Sequence, residues 1–194
     1  MSFKGKVFLV WMLLAACFAA FVASFDLKLS LIAEKLPFLL GLHLTPNGFI
    51  QGLPLTLFLC LAAMVFSTIL GFLAALGRLS GNPLAYGLAT FYTSFFRGTP
   101  LLVQLMLIYL GLPQLGPVPG AVPAGIIALS LCYGAYISEI FRAGIQAVPN
   151  GQREAAAALG LPRWLVMYKV ILPQALKLIV PPLGAQFISM LKDS

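Results

Sequence analysis

Charge is the scarcest feature of this sequence. Only 9% of the 194 residues are charged, with five acidic side chains and a single histidine, while 61% are hydrophobic. A soluble domain carries roughly 25% charged residues, and a surface exposed to water could not be covered with so few. The composition and the long apolar runs therefore predict an all-α integral membrane protein.

Motifs for catalysis and metal binding are missing as well. The sequence contains no HExxH, no GxSxG and no GxxxxGK[ST], which argues against a zinc protease, a serine hydrolase and a chain that binds nucleotide in its own P-loop. The cysteines Cys17, Cys60 and Cys132 lie in apolar runs without CxxC spacing, so we interpret them as small hydrophobic side chains within the membrane. We expect no catalytic residue, no metal site and no cofactor bound by this chain.

Cations outnumber acids, and the formal net charge is +7. In a soluble protein such an excess would suggest a nucleic-acid partner. In a membrane protein, Lys and Arg instead mark the cytoplasmic loops. We therefore expect contact with membrane lipid and none with nucleic acid.

Five apolar stretches approach the roughly 20 residues that a membrane-spanning helix needs. They are residues 7–25, 49–77, 82 to about 112, 124 to about 145, and 164 to about 190. Proline interrupts the pattern in several places. We expect a bend at residues 97–100, a turn-rich connection over residues 113–123, and breaks in the last stretch at Pro173 and at Pro181–Pro182.

The first apolar stretch, residues 7–25, could be a signal peptide or a retained anchor. It is longer than the usual apolar core of a signal peptide and shows no clear small-x-small cleavage site, which favours the anchor. Residues 26–48 are more polar and predict an extracytoplasmic segment. We therefore divide the chain into an N-terminal anchor with its extracytoplasmic segment, residues 1–48, and a core of residues 49–194.

The distribution of cations predicts the orientation in the membrane. With the N-terminus in the cytoplasm, six cations fall on the cytoplasmic side and two on the other side, in agreement with the positive-inside rule. The six are Lys4, Lys6, Arg78, Arg142, Arg153 and Arg163, and the two are Lys28 and Lys35. The same orientation places the sequence REAAAALGLP, residues 153–162, in the cytoplasm.

This stretch, residues 153–162, predicts a helix that is too short to cross a bilayer. Asn150 is a good N-cap, the alanine run favours helix, Gly160 can adopt the left-handed conformation after the last turn, and Pro162 prevents continuation. A connector resting in the lipid headgroups would show large apolar residues and several lysines. The small side chains favour docking into a groove of another protein instead.

Residues 151–176, GQREAAAALGLPRWLVMYKVILPQAL, resemble the EAA loop of ABC importer permeases. The EAA triplet at residues 154–156 is followed by Gly160 and by ILP at residues 171–173, at the spacing of that family. Two further segments resemble its polar-amino-acid branch (histidine, glutamine, glutamate or arginine). They are FRGTPLLVQL, residues 96–105, and EIFRAGIQAVPNGQ, residues 139–152. The resemblance covers residues 48–194.

This resemblance implies a permease subunit with the helical bundle of a type I ABC importer and a cytoplasmic coupling helix. It also implies a location in the bacterial inner membrane, a second permease subunit that is identical or homologous, a dimer of ABC ATPase subunits that holds ATP and Mg, and an extracytoplasmic amino-acid-binding protein. ATP hydrolysis then belongs to the partner and not to this chain. The residues assigned to ATPase coupling are Gly151, Glu154, Ala155, Ala156 and Gly160.

Two features depart from the family pattern. Members of this branch usually have a five-span core with an external N-terminus, whereas this sequence adds one N-terminal span. The family also runs on from a KDS-like stretch, here residues 192–194, into another span. We therefore expect the last span of the bundle to be missing and the core to be incomplete at its C-terminus.

Charged and polar side chains inside the apolar stretches mark the expected substrate pathway. A cation that faces lipid at mid-bilayer costs about 2.5–3.5 kcal/mol on insertion scales, so such residues should face protein or water. The candidates are Arg97, Thr99, Gln104, Glu139 and Lys177. Arg97 could bind the carboxylate of an amino acid, and Glu139 its ammonium group.

Structural and functional alternatives stand beside this assignment. Glu139 and Arg142 are three residues apart on one helix and could form an intrahelical ion pair. Arg97 and Glu139 could belong to a fixed charge network that holds two spans together. The alternative function is a secondary transporter or channel not driven by ATP, for which inverted repeats and several intramembrane acids would be typical; only Glu139 fits that pattern.

Overall fold

The computed structural model describes residues 3–25, 29–41 and 51–194. Over those ranges every regular element is helical, which confirms the all-α fold predicted from composition. Contacts group the chain into two units, Met1–Gly52 and Leu53–Ser194. The boundary predicted after residue 48 lies outside the described residues.

The first unit contains helix α1, Phe3–Ala23, and helix α2, Leu29–Leu39. α1 has 21 residues and the hydropathy of a membrane span, and none of its residues is buried within the structure. Its exposed apolar surface suits contact with lipid. α2 lies within residues 26–48, which were predicted from their polarity to be an extracytoplasmic segment, without a prediction of secondary structure. Residues 40 and 41 form a turn after α2, and residues 26–28 and 42–48 lie outside the described residues.

Helices α3, Leu53–Leu79, and α6, Ala121–Gln146, form the most extensive helix pair of the second unit. Their backbones approach closely, since a Cβ atom at Gly71 would lie 2.9 Å from the carbonyl oxygen of Gly134. Small residues are the usual means by which membrane helices pack at short distance. Buried alanines extend the contact: Ala63, Ala74 and Ala75 on α3, and Ala124, Ala128 and Ala135 on α6.

The third predicted span is divided into two helices. α4, Pro83–Gly98, starts after Asn82, whose side chain accepts a hydrogen bond from the Leu84 N–H at 2.9 Å. The segment that follows, Leu101–Leu115, is bent by 105° relative to α4. The predicted bend is confirmed, and it is a complete break of the helix. The bent segment consists of α5, Leu101–Met106, a π-helix, Leu107–Gly111, and a 3-10 turn, Leu112–Leu115.

The predicted connection over residues 113–123 is partly wrong. Its first residues belong to the 3-10 turn, and α6 starts at Ala121, before the predicted start at residue 124. Pro123 fits there because it lies in the first turn of α6. Backbone N–H groups in that turn have no intrahelical partner, so the missing donor of proline costs nothing.

The last predicted span runs without a break to Asp193 and starts at Arg163 rather than at Trp164. The breaks predicted at Pro173 and at Pro181–Pro182 are therefore wrong. The span consists of α8, Arg163–Leu165, a π-helix, Val166–Ile171, and α9, Leu172–Asp193.

The prolines of this span are accommodated in two ways. Pro173 lies in the first turn of α9, directly after the π-helix, where the Leu172 N–H donates to the Met167 carbonyl. The wider π turn supplies the irregularity that proline requires of the preceding backbone. Pro181 and Pro182 lie inside α9, where each removes one donor while the surrounding turns continue.

Candidate functional site

The predicted short helix exists as α7, Asn150–Ala158, between α6 and α8. The prediction of Asn150 as its N-cap is wrong, because the helix starts at Asn150 and Pro149 occupies the cap without a side-chain hydrogen bond. Proline has its φ fixed by its ring, and Pro149 adopts φ −55° and ψ 137°. The chain is therefore already extended at Pro149, and Asn150 enters the helix.

The end of α7 has the structure predicted for Gly160. This glycine has φ +73°, its N–H donates to the Ala157 carbonyl at 2.9 Å, and the Leu161 N–H donates to the Ala156 carbonyl at 3.2 Å. These two hydrogen bonds form a Schellman motif, which satisfies carbonyl groups left open by the last turn. A residue with a Cβ atom would be strained in this left-handed conformation.

One side of α7 packs against the rest of the second unit. Ala156 is buried, and it belongs to the same apolar cluster as Ile145 of α6 and Ile171. The Arg153 Nη2 atom donates to the Ile145 carbonyl at 3.0 Å. The other residues predicted to couple to the ATPase, Gly151, Glu154 and Ala155, are exposed. The helix therefore presents an open surface of small side chains beside one acidic group.

Glu139 of α6 is the centre of a charge cluster. Its Oε1 atom accepts from Arg97 Nη1 of α4 at 3.0 Å and also from Arg78 of α3, while Oε2 lies 2.8 Å from Arg142 Nη2. Arg142 Nη1 also donates to the Gln146 Oε1 atom at 2.6 Å. Both structural alternatives are therefore present: the intrahelical pair, and a network that connects α3, α4 and α6.

Arg78 is the member of this cluster that sequence reasoning missed. The cation rule accounts for it as a residue at the cytoplasmic end of a span, so nothing pointed to a partner 61 positions away. A signal was available in the charge count. Residues 53–194 contain only the acids Glu139, Glu154 and Asp193, so an acid inside a span was a candidate partner for more than one arginine.

Gln104 of α5 forms hydrogen bonds across the break between α4 and α5. The residue is buried, and its Nε2 atom lies 2.8 Å from the Phe96 carbonyl, 3.0 Å from the Thr99 carbonyl and 2.9 Å from Thr99 Oγ1. The Thr99 hydroxyl donates in turn to the Phe95 carbonyl at 2.9 Å. The last carbonyls of a helix lack intrahelical donors, and these two side chains supply them.

A cleft of about 520 Å³ lies beside this break, and we call it the central cleft. Arg97 and Thr99, two of the predicted pathway residues, line it together with Gln186. The Arg97 side chain is 43% exposed and stands over the Tyr136 ring, 5.5 Å from the centroid. Further polar residues of the lining were not predicted as site residues: Tyr133, Tyr136, Ser189 and Asp193.

The other predicted pathway residues lie elsewhere. Gln104 and Glu139 are not among the residues that line the central cleft. Lys177 is exposed on α9, also away from the cleft. Asp193, which the sequence showed only as part of a terminal KDS, accepts a hydrogen bond from the Tyr133 hydroxyl at 2.6 Å. The cleft therefore combines a guanidinium group, a carboxylate and several hydroxyl groups.

Residues 67–194 match the family described as binding-protein-dependent transport system inner membrane component. The chain belongs to this family of ABC importer permeases. The family predicted from the EAA loop is thereby confirmed, and its description names an inner membrane component. Four helices of the described residues are long and apolar enough to cross a membrane, which agrees with a multi-pass protein. Permeases of this kind are typically not themselves catalytic.

Several curated relatives of this permease are named as permeases for amino acids. It is 46% identical over 148 residues to the probable amino-acid permease protein YxeN of Bacillus subtilis (strain 168), covering 75% of this chain and 66% of the relative. A putative glutamine transport system permease protein GlnP of Rickettsia bellii (strain RML369-C) is 46% identical over 146 residues, with 75% and 67% covered. The chain thus spans about two thirds of the length of these relatives.

Two longer matches extend further along the permease. The arginine transport system permease protein ArtQ of Bacillus subtilis (strain 168) is 41% identical over 170 residues, with 87% of this chain and 73% of the relative covered. A crystal structure of an amino acid ABC transporter with histidines superposes with a TM-score of 0.75 at 41% identity, over 87% of this chain and 74% of that chain. The predicted permease bundle is confirmed by this likeness.

Proposed function

We propose that this chain is the membrane-spanning permease subunit of an ATP-driven importer for polar amino acids. The observation that carries the proposal is α7, a separate helix with an open surface of small residues and a defined end. Relatives named for amino-acid, glutamine and arginine transport support the substrate class.

An importer driven by ATP requires partner subunits that bind and hydrolyse the nucleotide. The sequence contains no P-loop, so ATP and Mg would be held by a dimer of separate ABC ATPase subunits. The open side of α7 is suited to dock on that dimer, with Gly151, Glu154 and Ala155 exposed for contact. A second permease subunit, identical or homologous, and an extracytoplasmic amino-acid-binding protein complete the proposed importer.

The proposed orientation places the N-terminus and α7 in the cytoplasm. Within the second unit, Leu79 at the end of α3 lies at one cleft with Arg153 of α7 and Arg163 of α8. Arg153 and Arg163 thus lie at the end of the bundle where α3 ends with Arg78 and Leu79. That arrangement agrees with the positive-inside rule if this end is cytoplasmic.

The central cleft is the proposed place of the substrate. Arg97 and Thr99 line it, and a guanidinium group can bind a carboxylate with two parallel hydrogen bonds. Glu139 already accepts hydrogen bonds from three arginines, so its geometry favours a framework role over a substrate role. The roles of Gln104 and Lys177 in transport stay predictions: the first holds the bend, and the second lies outside the cleft.

Reconstitution tests the function. The chain would be purified together with candidate ATPase and binding-protein subunits and placed in vesicles, and uptake of labelled glutamine, histidine, arginine and leucine would be measured with and without ATP. We expect ATP-dependent uptake of the polar amino acids and little of leucine. Uptake that continues without the ATPase would instead support a secondary transporter or channel.

A pair of variants tests Arg97 separately. Arg97→Ala and Arg142→Ala each remove one partner of Glu139, but only Arg97 lines the central cleft. If Arg97 binds the substrate carboxylate, its variant should raise the KM for uptake by more than about tenfold, since charge-assisted hydrogen bonds are worth roughly 1.5–3 kcal/mol. Equal uptake by the two variants, with equal loss of assembled complex, would assign Arg97 to the framework alone.

A further inference from the structure

A second cleft lies beside α7, and we call it the interfacial cleft. Its volume is about 520 Å³, within the range of roughly 300–1,000 Å³ that is typical of small-molecule pockets. The guanidinium-bearing residues Arg153 and Arg163 line it, and its apolar walls include Leu79, Leu161, Met167 and Ile171. α3, the end of α7 and the start of the last span all contribute to it.

The interfacial cleft has cationic groups without acidic counterparts. No acidic side chain lines it, and the ion pairs among the described residues all involve Glu139. Arg153 uses one Nη atom on the Ile145 carbonyl, while its Nε atom is buried without a hydrogen-bond partner. Arg163 is exposed. An anionic ligand in the cleft would be attracted by the positive charge of both residues.

The surroundings of the cleft indicate what kind of anion it would take. Trp164 and Tyr168 follow the lining residues Arg163 and Met167 in the sequence and are 69% and 66% exposed, and aromatic side chains of this kind gather at the membrane–water interface. A small inorganic anion would leave the apolar walls in contact with water. An amphiphile with an anionic head and an apolar body fits both parts of the cleft.

We propose that the interfacial cleft binds the headgroup of an anionic phospholipid, with Arg153 and Arg163 holding its phosphate and the apolar walls receiving the upper part of its acyl chains. Basic pockets between membrane helices on the cytoplasmic side are a recognised place for such headgroups. Ala157 and Leu161 border the same cleft, so a bound lipid would fasten the end of α7. The proposal requires a membrane and does not depend on which substrate is transported.

Tryptophan fluorescence provides a direct test. The sequence contains two tryptophans, so a Trp11→Phe background leaves Trp164, the neighbour of Arg163, as the reporter. The chain in mixed detergent micelles would be titrated with brominated phosphatidylglycerol or, as a zwitterionic comparison, with brominated phosphatidylcholine. We expect phosphatidylglycerol to quench Trp164 at a clearly lower mole fraction.

A matched pair of variants locates the site. Arg163→Gln removes a cation of the cleft, whereas Lys169→Gln removes an exposed cation of the neighbouring π-helix that does not line it. Loss of Arg163 should weaken quenching by phosphatidylglycerol roughly fivefold, as expected for one cation near an anionic headgroup. Loss of Lys169 should change it by less than about twofold, and Arg163→Lys should retain most of the preference.

Several results would overturn the proposal. Equal quenching by the two lipids in the unaltered chain would do so, and this comparison decides even if Arg163→Gln does not fold. Equal losses for Arg163→Gln and Lys169→Gln would indicate attraction to a charged surface without a site. Displacement of the lipid by millimolar inorganic phosphate would indicate a free-phosphate site. Unchanged quenching combined with lost ATPase capture in Arg163→Gln would assign the cleft to a protein partner.

Discussion

Helices α6 and α7 follow each other in the sequence, and both are rich in alanine and glycine, but they use these residues differently. In α6 most of the small residues are buried, and they allow α3 and α9 to approach closely. In α7 only Ala156 is buried, and the rest of the alanine run is exposed. Small side chains thus permit close packing, which α6 uses within the chain, whereas the small side chains of α7 are exposed.

The acidic residues of the two helices show the same contrast. Glu139 of α6 accepts hydrogen bonds from three arginines, while Glu154 of α7 is exposed and takes part in none of the ion pairs of the described residues. The comparison teaches that residue type alone does not reveal which side chains hold a membrane protein together. Matched substitutions in the two helices can distinguish residues that stabilise the fold from residues proposed to contact a partner.

The largest effect is expected for Glu139→Gln. Removing one partner of a buried ion pair costs roughly 3–5 kcal/mol, and the 24% exposure of this side chain places the expected loss at the lower end of that range. The midpoint of thermal unfolding in detergent measures it. Glu154→Gln is the matched control and should shift the midpoint little; equal shifts would abolish the contrast between the helices.

A smaller loss is expected for Gly144→Ala. The added Cβ atom would overlap Ile179 Cγ1 of α9 and lie 3.0 Å from its Cδ1 atom, and overpacking of this kind costs about 1–3 kcal/mol. Gly151→Ala of α7 is the control, because nothing lies within 4 Å of its added Cβ. Thermal unfolding should therefore separate the two alanine variants, and a Gly144→Ala chain as stable as the control would show that α9 can move aside.

Gly160→Val should disturb the end of α7 and leave the spans intact. At φ +73° a residue with a Cβ costs roughly 1–2 kcal/mol, and a β-branched residue costs more. We expect normal membrane insertion, reduced capture of the ATPase and little uptake. Gly160→Asn is the control, since asparagine tolerates the left-handed region better. ATPase capture by Gly160→Val at the level of the unaltered chain would contradict the role of α7 in coupling.

The smallest effect on stability is expected for Ala155→Leu. Exposed substitutions of this kind stay within about 0.5 kcal/mol, so the unfolding midpoint should not move. ATPase capture should fall nonetheless, because the larger side chain prevents close approach to a groove. Unchanged capture would show that the open side of α7 is not the docking surface.

Much of this fold follows from the sequence because lipid imposes simple requirements. Long apolar runs without charge have to span the membrane as helices. The left-handed conformation at the end of α7 was predictable because glycine is the residue that most readily adopts it. Boundaries were less predictable where two local signals competed, as when Pro149 took the cap position that Asn150 was expected to fill. The break predicted at Pro181 and Pro182 is wrong because the turns on either side of the two prolines continue the helix, although each proline lacks one backbone donor.

The candidate site was predictable only in part. Arg97 and Thr99 stood out because a charge and a helix break coincide there, and the structure places both at the central cleft. The partnership of Arg78 with Glu139 joins residues far apart in sequence, and no local pattern encodes it. Gln104 was visible as a polar residue in an apolar run, but its three acceptors exist only after the chain bends.

The π-helix Val166–Ile171 changes how residues must be counted along the last span. The first four buried residues of this span, Val166, Ile171, Ala175 and Ile179, are spaced by five, four and four positions. In an α-helix, at 3.6 residues per turn, four positions advance about 40° beyond a full turn and five advance about 140°, so Val166 would face away from the others. The wider turn absorbs one additional residue and brings both stretches into phase. A relative with one residue fewer here would form a plain α-helix with the same buried face.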